Sequence, residues 1–475
     1  MLDLIVRGGQ VVTPEGVGAL DVGVEGERIV LIGAPGSLPS AGRVIDATGK
    51  IVVPGGVEPH AHLAHAIMSH PDEPLTTMGP EDDTRGMAFG GTTTHVDFVF
   101  VRPGTDMAGA IEQRTARWKG NSYVDYSFHV TLCGPLSLKI FDQIPEAIQQ
   151  GFPSFKVFTT NILPPHPKRS GNRLDFGRIH HAMERIAAHG GILAVHGEDE
   201  DLVQFNYERF REEGRLEGAN LHLVHTKLSE LLALRRTVAL ARASGCAVYF
   251  VHTSAREGVD TIREARAAGL PVYGETLHQY ACFNAEHYRA PRGFCSHTYP
   301  SLKFPEDQEA LWRGLVDDGL STLATDEYPT TLAVKLRGRT IEDVTGGNTG
   351  AEARLGIAWT EGVVKRGMSL PRFVAVTSAN AAKIFGLYPR KGALVPGSDA
   401  DIAIIDPSIR KTLAKEDFHV SDYSPWEGWE VQGWPVTTIM RGRVLVEDRR
   451  LVAATREGRL VPRKIDPGVV KRPAC

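Results

Sequence analysis

The strongest constraint on the fold is a texture that changes twice along the chain. After Val53-Pro54-Gly55-Gly56, short apolar runs of strand character alternate with long amphipathic stretches of helical periodicity, such as 176–189, 228–243 and 306–318. Strand followed by helix, repeated, builds parallel strands joined by crossover helices. The stretch 55–388 accommodates the eight strand–helix units of a (β/α)8 TIM-like barrel, which takes about 250 residues or more with insertions. A doubly wound open sheet is the competing architecture. The phosphate loop that usually opens one, GxGxxG or GxxxxGK[ST], is missing, and Gly90-Gly91 reads as a turn.

On either side of this stretch the pattern is different. Short β-like runs at 4–7, 11–12, 21–24, 28–32 and 43–46 precede it, and runs at 400–405, 433–441 and 444–447 follow it. Closely spaced short strands make a small β domain, and the two ends are expected to build one β-sandwich together. The expected layout is α/β: residues 1–54 and 389–458 as the two parts of the sandwich, 55–388 as the barrel, and 459–475 as a tail. The tail is basic and Pro-containing, without periodicity, and is expected either to fray or to dock on a neighbouring subunit.

Composition limits partners more than fold. Lys and Arg total 53 against 57 Asp and Glu, a net charge of -4, so there is no global attraction to nucleic acid or to an anionic membrane. The five cysteines are dispersed and form no CxxC pair, which fits a reducing compartment. The first residues lack a signal-peptide pattern, and no run of about 18 apolar residues occurs. A cytoplasmic location is expected.

Residues with chemical potential fall at the ends of the apolar runs, where a barrel places its active site. His60-Ala61-His62 follows the run 51–57, and alternate strand residues share a face, so both imidazoles can converge on one ion. His196 follows Ala194-Val195 and precedes Gly197-Glu198; His252 follows the run 248–251; Asp326 follows Leu323-Ala324-Thr325. Singly, each has a structural explanation, a core histidine or a helix cap, but four in barrel order make that reading poor. His180, His181 and His189, in a helical pattern, read as surface or packing residues. Lys156 lies inside the apolar run Phe155-Lys156-Val157-Phe158. Two readings stand for it. Either its stem snorkels to solvent, or burial lowers its pKa and the neutral amine adds carbon dioxide, giving a carbamate whose oxygens can bridge two cations.

The set His60, His62, Lys156, His196, His252 and Asp326 resembles that of the binuclear metal-dependent amidohydrolases, in their hydantoinase and dihydropyrimidinase branch. The similarity extends through Gly274-Glu275-Thr276, the stretch 306–312, Thr377-Ser378-Ala379-Asn380 and Trp426-Glu427-Gly428-Trp429. The resemblance implies hydrolysis of a cyclic amide or imide by a hydroxide held between two divalent ions, zinc first, with manganese or cobalt as substitutes. It implies a carbamylated Lys156 as bridge, His60, His62 and Asp326 on one ion, and His196 and His252 on the other. Asp326 is then the catalytic proton carrier, and the protein a homo-oligomer, tetramer or dimer, whose tail crosses between subunits.

Four departures from that family's pattern fall in or beside the expected pocket. Asn161 stands where a Tyr usually serves the oxyanion; His297 and Tyr299 lie in a stretch that is usually Ser-Pro-Pro; Glu327 replaces a common His; and Asn348 lies in an altered Gly-rich loop. These five residues are the candidate substrate contacts. The expected substrate is therefore a ring other than dihydrouracil or unsubstituted hydantoin. Two other readings remain: a non-catalytic oligomeric scaffold, against which the intact ligand set speaks, and a mononuclear deaminase, against which Lys156 speaks. Nucleophilic hydrolysis has no GxSxG elbow or placed Cys-His pair to support it.

Overall fold

The computed structural model describes residues 1–475. Five strands open the chain: β1 (Leu2–Thr13), β2 (Gly16–Glu25), β3 (Arg28–Gly33), β4 (Ala41–Asp46) and β5 (Ile51–Pro54). Eight more follow: β6 (Gly56–Ala61), β7 (Thr92–Val101), β8 (Asp125–Leu132), β9 (Ser154–Phe158), β10 (Ile192–His196), β11 (Ala247–Phe250), β12 (Val272–Leu277) and β13 (Thr322–Ala324). The chain then returns to β structure with β14 (Ile402–Thr412), β15 (Glu430–Met440), β16 (Arg443–Glu447) and β17 (Arg450–Leu451).

Strands β6 to β13 lie side by side in sequence order, every neighbouring pair parallel. The ring closes just past β13. The Glu327 N–H donates to the His60 carbonyl at 3.0 Å, and the His62 N–H donates to the Glu327 carbonyl at 2.7 Å. Helices cover the barrel's outside, so its strands are buried on both faces and read as continuous apolar runs rather than alternations. The three stretches of helical periodicity named from the sequence are helices Phe176–Ala188, Lys227–Ser244 and Pro305–Val316. Asp175 and Thr226 cap the first two by accepting backbone N–H bonds. The second ends at Gly245, whose φ of 71° suits a residue without Cβ.

The terminal segments form a single mixed sheet of nine strands. The two ends of the chain are joined where β14 runs antiparallel to β5, pairing Ile402 with Pro54 and Ile405 with Ile51. One edge of β1 carries first β4 and then β5, with a register shift in β1 between Val6 and Gly9. The expected sandwich is thus one hydrogen-bonded sheet folded over a core of 15 buried residues. The runs 4–7 and 11–12 belong to one strand, because Gly8 and Gly9 interrupt the apolar pattern without ending the pairing.

The tail neither frays nor lies free, because it docks on its own barrel. The Val461 N–H donates to the Tyr126 carbonyl at 2.8 Å, the Arg463 guanidinium to Ser127 Oγ at 2.8 Å, and the Tyr273 hydroxyl to the Val469 carbonyl at 2.6 Å. Tyr126, Ser127 and Tyr273 open β8 and β12, so the tail covers the amino end of the barrel, opposite the site described next. The five cysteines are free, and no helix is long and apolar enough to cross a membrane.

Candidate active site

All six expected ligands line one cavity of about 270 Å³ at the carboxyl end of the barrel. His60 lies in β6 and His62 just beyond it, and Phe98 of β7 packs against both rings, at 5.0 and 4.5 Å between centroids. His196 is the last residue of β10, and Lys156 stands mid-strand in β9, opposite Ala194. His252 and Asp326 follow β11 and β13 with φ of 41° and 50°. That left-handed backbone costs on the order of 1 kcal/mol or more for a residue with a Cβ, and it turns both side chains into the cavity.

The ring nitrogens are arranged as metal donors. His60 Nδ1 lies 2.7 Å from Glu275 Oε1, which fixes that nitrogen as the N–H donor. Its Nε2 then faces His62 Nε2 at 3.2 Å and Asp326 Oδ1 at 3.0 Å, so two ring nitrogens and a carboxylate oxygen converge on one point. In the protein alone a second proton on His60 relieves this crowding. Burial opposes that proton, but Asp326 and Glu275 outweigh burial and push the His60 pKa up to about 9. A divalent cation in the same place does the proton's work. Burial pushes the Asp326 carboxyl up, yet His60 and His62 more than compensate and hold it well below the usual range.

A second convergence lies beside the first. His196 Nε2 sits 2.9 Å from Glu198 Oε2, which leaves Nδ1 to face His252 Nε2 at 2.9 Å. Burial raises the Glu198 carboxyl, but His225 and His196 overcome this and keep it ionised. Burial, then the neighbouring His196, drives His252 well below the usual imidazole range. Two imidazoles are one donor short of a stable site. Lys156 is 1% exposed and its ammonium is met only by the faces of Phe98 and Phe158, at 5.4 and 5.0 Å. Burial lowers its pKa to about 8 against the pull of Asp326 and Glu275. It does not snorkel; it is a buried amine without a hydrogen-bond partner, lining the same cavity as the two histidine clusters. The donor set therefore fits two divalent cations.

Of the five expected substrate contacts, only Tyr299 lines the cavity, and its hydroxyl donates to the Val344 carbonyl at 3.2 Å, so its ring forms wall. Asn161 is turned away. Its amide donates to Glu200 at 2.8 Å and its carbonyl accepts the Asn172 N–H at 2.9 Å. Glu327 points behind the cavity, where its carboxylate accepts the N–H groups of Gly350 and Ala351 at 2.7 and 2.6 Å. His297 shares Nδ1 with the Tyr288 hydroxyl at 2.9 Å and lies edge-on to Tyr299 from outside. Asn348 is fully buried with its amide unpartnered, and reaches the site only through its carbonyl, which accepts the Tyr328 N–H at 3.0 Å.

Other residues shape the site. Thr298 donates to Asp326 Oδ2 at 2.9 Å. Glu275 also accepts the His252 N–H at 2.8 Å and the Tyr249 hydroxyl at 2.8 Å, tying both histidine clusters to one carboxylate. Lys335, its pKa lowered to about 7 by burial, donates to the carbonyls of His297 and Thr345 at 2.8 Å each and to that of Gly347. It holds the loop 345–347 that forms one cavity wall. An acid two residues after a ligand histidine was the only sequence signal for Glu198. Glu275 was marked only by the matched run Gly274-Glu275-Thr276, and Lys335 gave no local signal.

Convergent imidazoles and a carboxylate at the carboxyl end of an eight-stranded barrel define a metal-dependent catalytic barrel. The amidohydrolase family profile matches residues 51–445. The D-hydantoinase of Geobacillus stearothermophilus is 32% identical over 471 residues, covering 97% of this chain and 96% of that one. The solved dihydropyrimidinase of Brevibacillus agri superposes with a TM-score of 0.91 at 30% identity, over 98% of this chain and 99% of that one. The L-hydantoinase (dihydropyrimidinase) of Arthrobacter aurescens gives 0.88 at 27% identity, over 98% and 100%. The chain belongs to the amidohydrolase family, in its hydantoinase and dihydropyrimidinase branch.

Proposed function

We propose that this chain opens a cyclic amide or imide with water, using two divalent cations, zinc or in its place manganese or cobalt, at the floor of the cavity. His60, His62 and Asp326 would hold one ion and His196 and His252 the other, and Lys156, as its carbamate, would supply oxygen ligands to both. The observation that carries the reading is the pair of close convergences, 3.0 Å between His60 and Asp326 and 2.9 Å between His196 and His252, with the unpaired Lys156 amine beside them. The names of the relatives support the ring-opening chemistry.

When bound, two such cations lower the pKa of a shared water and polarise the carbonyl under attack. Asp326, ionised and oriented by Thr298, takes the proton of the attacking water and delivers it to the leaving ring nitrogen. Glu275 and Glu198 keep the imidazoles of His60 and His196 in the tautomers that present free nitrogens to the cavity. Phe98, Phe100 and Phe158 exclude water from the floor. A complete donor set speaks against a scaffold role, and an amine between two ligand groups speaks against a mononuclear deaminase. The same reading extends to a homo-oligomer, tetramer or dimer, in the cytoplasm, with residues 55–388 as the catalytic unit.

Substrate choice follows from the cavity. With no phenol at position 161 and with the Tyr299 ring as wall, the ring opened differs from unsubstituted hydantoin and dihydrouracil. A panel of hydantoins, dihydropyrimidines, cyclic imides and allantoin, followed in ultraviolet light, is expected to show strong turnover of a substituted ring and weak turnover of those two. A kcat/KM of about 10⁶ M⁻¹s⁻¹ or above on dihydrouracil or plain hydantoin would make the pocket differences silent. Failure to open any ring would remove the reading.

A further inference from the structure

Resting on the ring-opening reading above, the cavity also specifies the charge of the substrate's arm. Strand β7 sends alternate side chains to the same face. Phe98 packs on the two metal-site histidines, Phe100 stands 4.9 Å from His65, and Arg102 places its guanidinium carbon 5.3 Å from the Phe100 ring centroid. Arg102 is the residue directly after β7, on the mouth side of Phe100. The ladder therefore runs from the metal floor up to a fixed positive charge.

That charge has no counter-ion. Arg102 Nη2 makes one long bond to Asn172 Oδ1 at 3.3 Å, and Nη1 is buried without any partner. No carboxylate lies within ion-pair distance, whereas Arg114 in the same half of the barrel pairs with Asp97 at 2.6 Å and the buried Arg354 with Glu58 at 3.1 Å. The only carboxylate lining the cavity is Asp326, at the opposite, metal end. A guanidinium fork left partly desolvated and unpaired is a cost in the free protein that a bound carboxylate removes, through two parallel charge-assisted bonds. Met68, Phe100 and Leu163 give the same cavity an apolar share of its wall. We propose that the preferred substrate is a cyclic amide whose ring substituent is a short aliphatic arm ending in a carboxylate, and that Arg102 is the specificity-determining residue that binds it.

The test compares hydantoin-5-acetate with its neutral isostere hydantoin-5-acetamide, in turnover and in calorimetric binding to the metal-loaded enzyme. The wild-type protein is expected to bind and open the acetate at least about 10-fold better. Arg102→Gln is expected to lower that ratio about 10- to 100-fold, and Arg102→Lys to restore only part of it. Equal binding of acid and amide by the wild type, or a ratio unchanged in Arg102→Gln, would overturn the proposal and leave Arg102 as packing on Phe100. Discriminating binding without turnover of either compound would support the carboxylate site and count against the ring-opening reading alone.

Discussion

Asp326→Asn is expected to lower kcat by about 10²–10⁴-fold or more, the loss typical of a general base, while the protein keeps much of its metal. The substitution is isosteric, and Asn tolerates the left-handed backbone that Asp326 adopts at φ 50°. The carbonyl of the new side chain still presents an oxygen toward His60 and His62, which lie 3.0 and 3.2 Å from Asp326 Oδ1. What disappears is the anion that receives a proton, so the effect belongs in kcat rather than in folding. Metal content, thermal stability and kcat measured on the same sample separate the two. A near-normal rate would take Asp326 out of the proton-carrying role.

The second large effect concerns Lys156. Lys156→Ala is expected to lose metal and activity together, with partial rescue by short carboxylic acids that occupy the bridge. His196 and His252 alone offer two donors, too few for a stable divalent site. The fold should tolerate the change. It leaves a cavity, but it also removes a buried amine that has no hydrogen bond. The unsubstituted protein, weighed intact under mild conditions, is expected to carry the additional mass of one carbon dioxide. Full activity in Lys156→Ala, or an unmodified lysine in a fully active sample, would refute the bridge.

The gathering of His60, His62, Lys156, His196, His252 and Asp326 in one cavity was legible in the sequence because its signal is local. Each ligand lies within or just beyond an apolar run, and parallel barrel strands bring such positions to one end whatever the details of packing. The fold was legible for the same reason, except where Gly8 and Gly9 made one strand look like two. Substrate contacts were not legible, because adjacency to a ligand says little about direction. Glu327 follows Asp326 but faces the other way, contributing its backbone to barrel closure and its carboxylate to Gly350 and Ala351. Asn161 lies five positions after Lys156, yet Glu200, distant in sequence, claims its amide. Arg102 and Lys335 carry no motif. Their roles arise from which charges the loops leave unpaired and which carbonyls they gather, and only three-dimensional packing decides that.

Metal content tests the central claim most directly. The purified protein is expected to hold about two divalent ions per chain, to lose ring-opening activity on chelation, and to recover it when a divalent metal is returned. Full activity in a rigorously metal-free sample would contradict it.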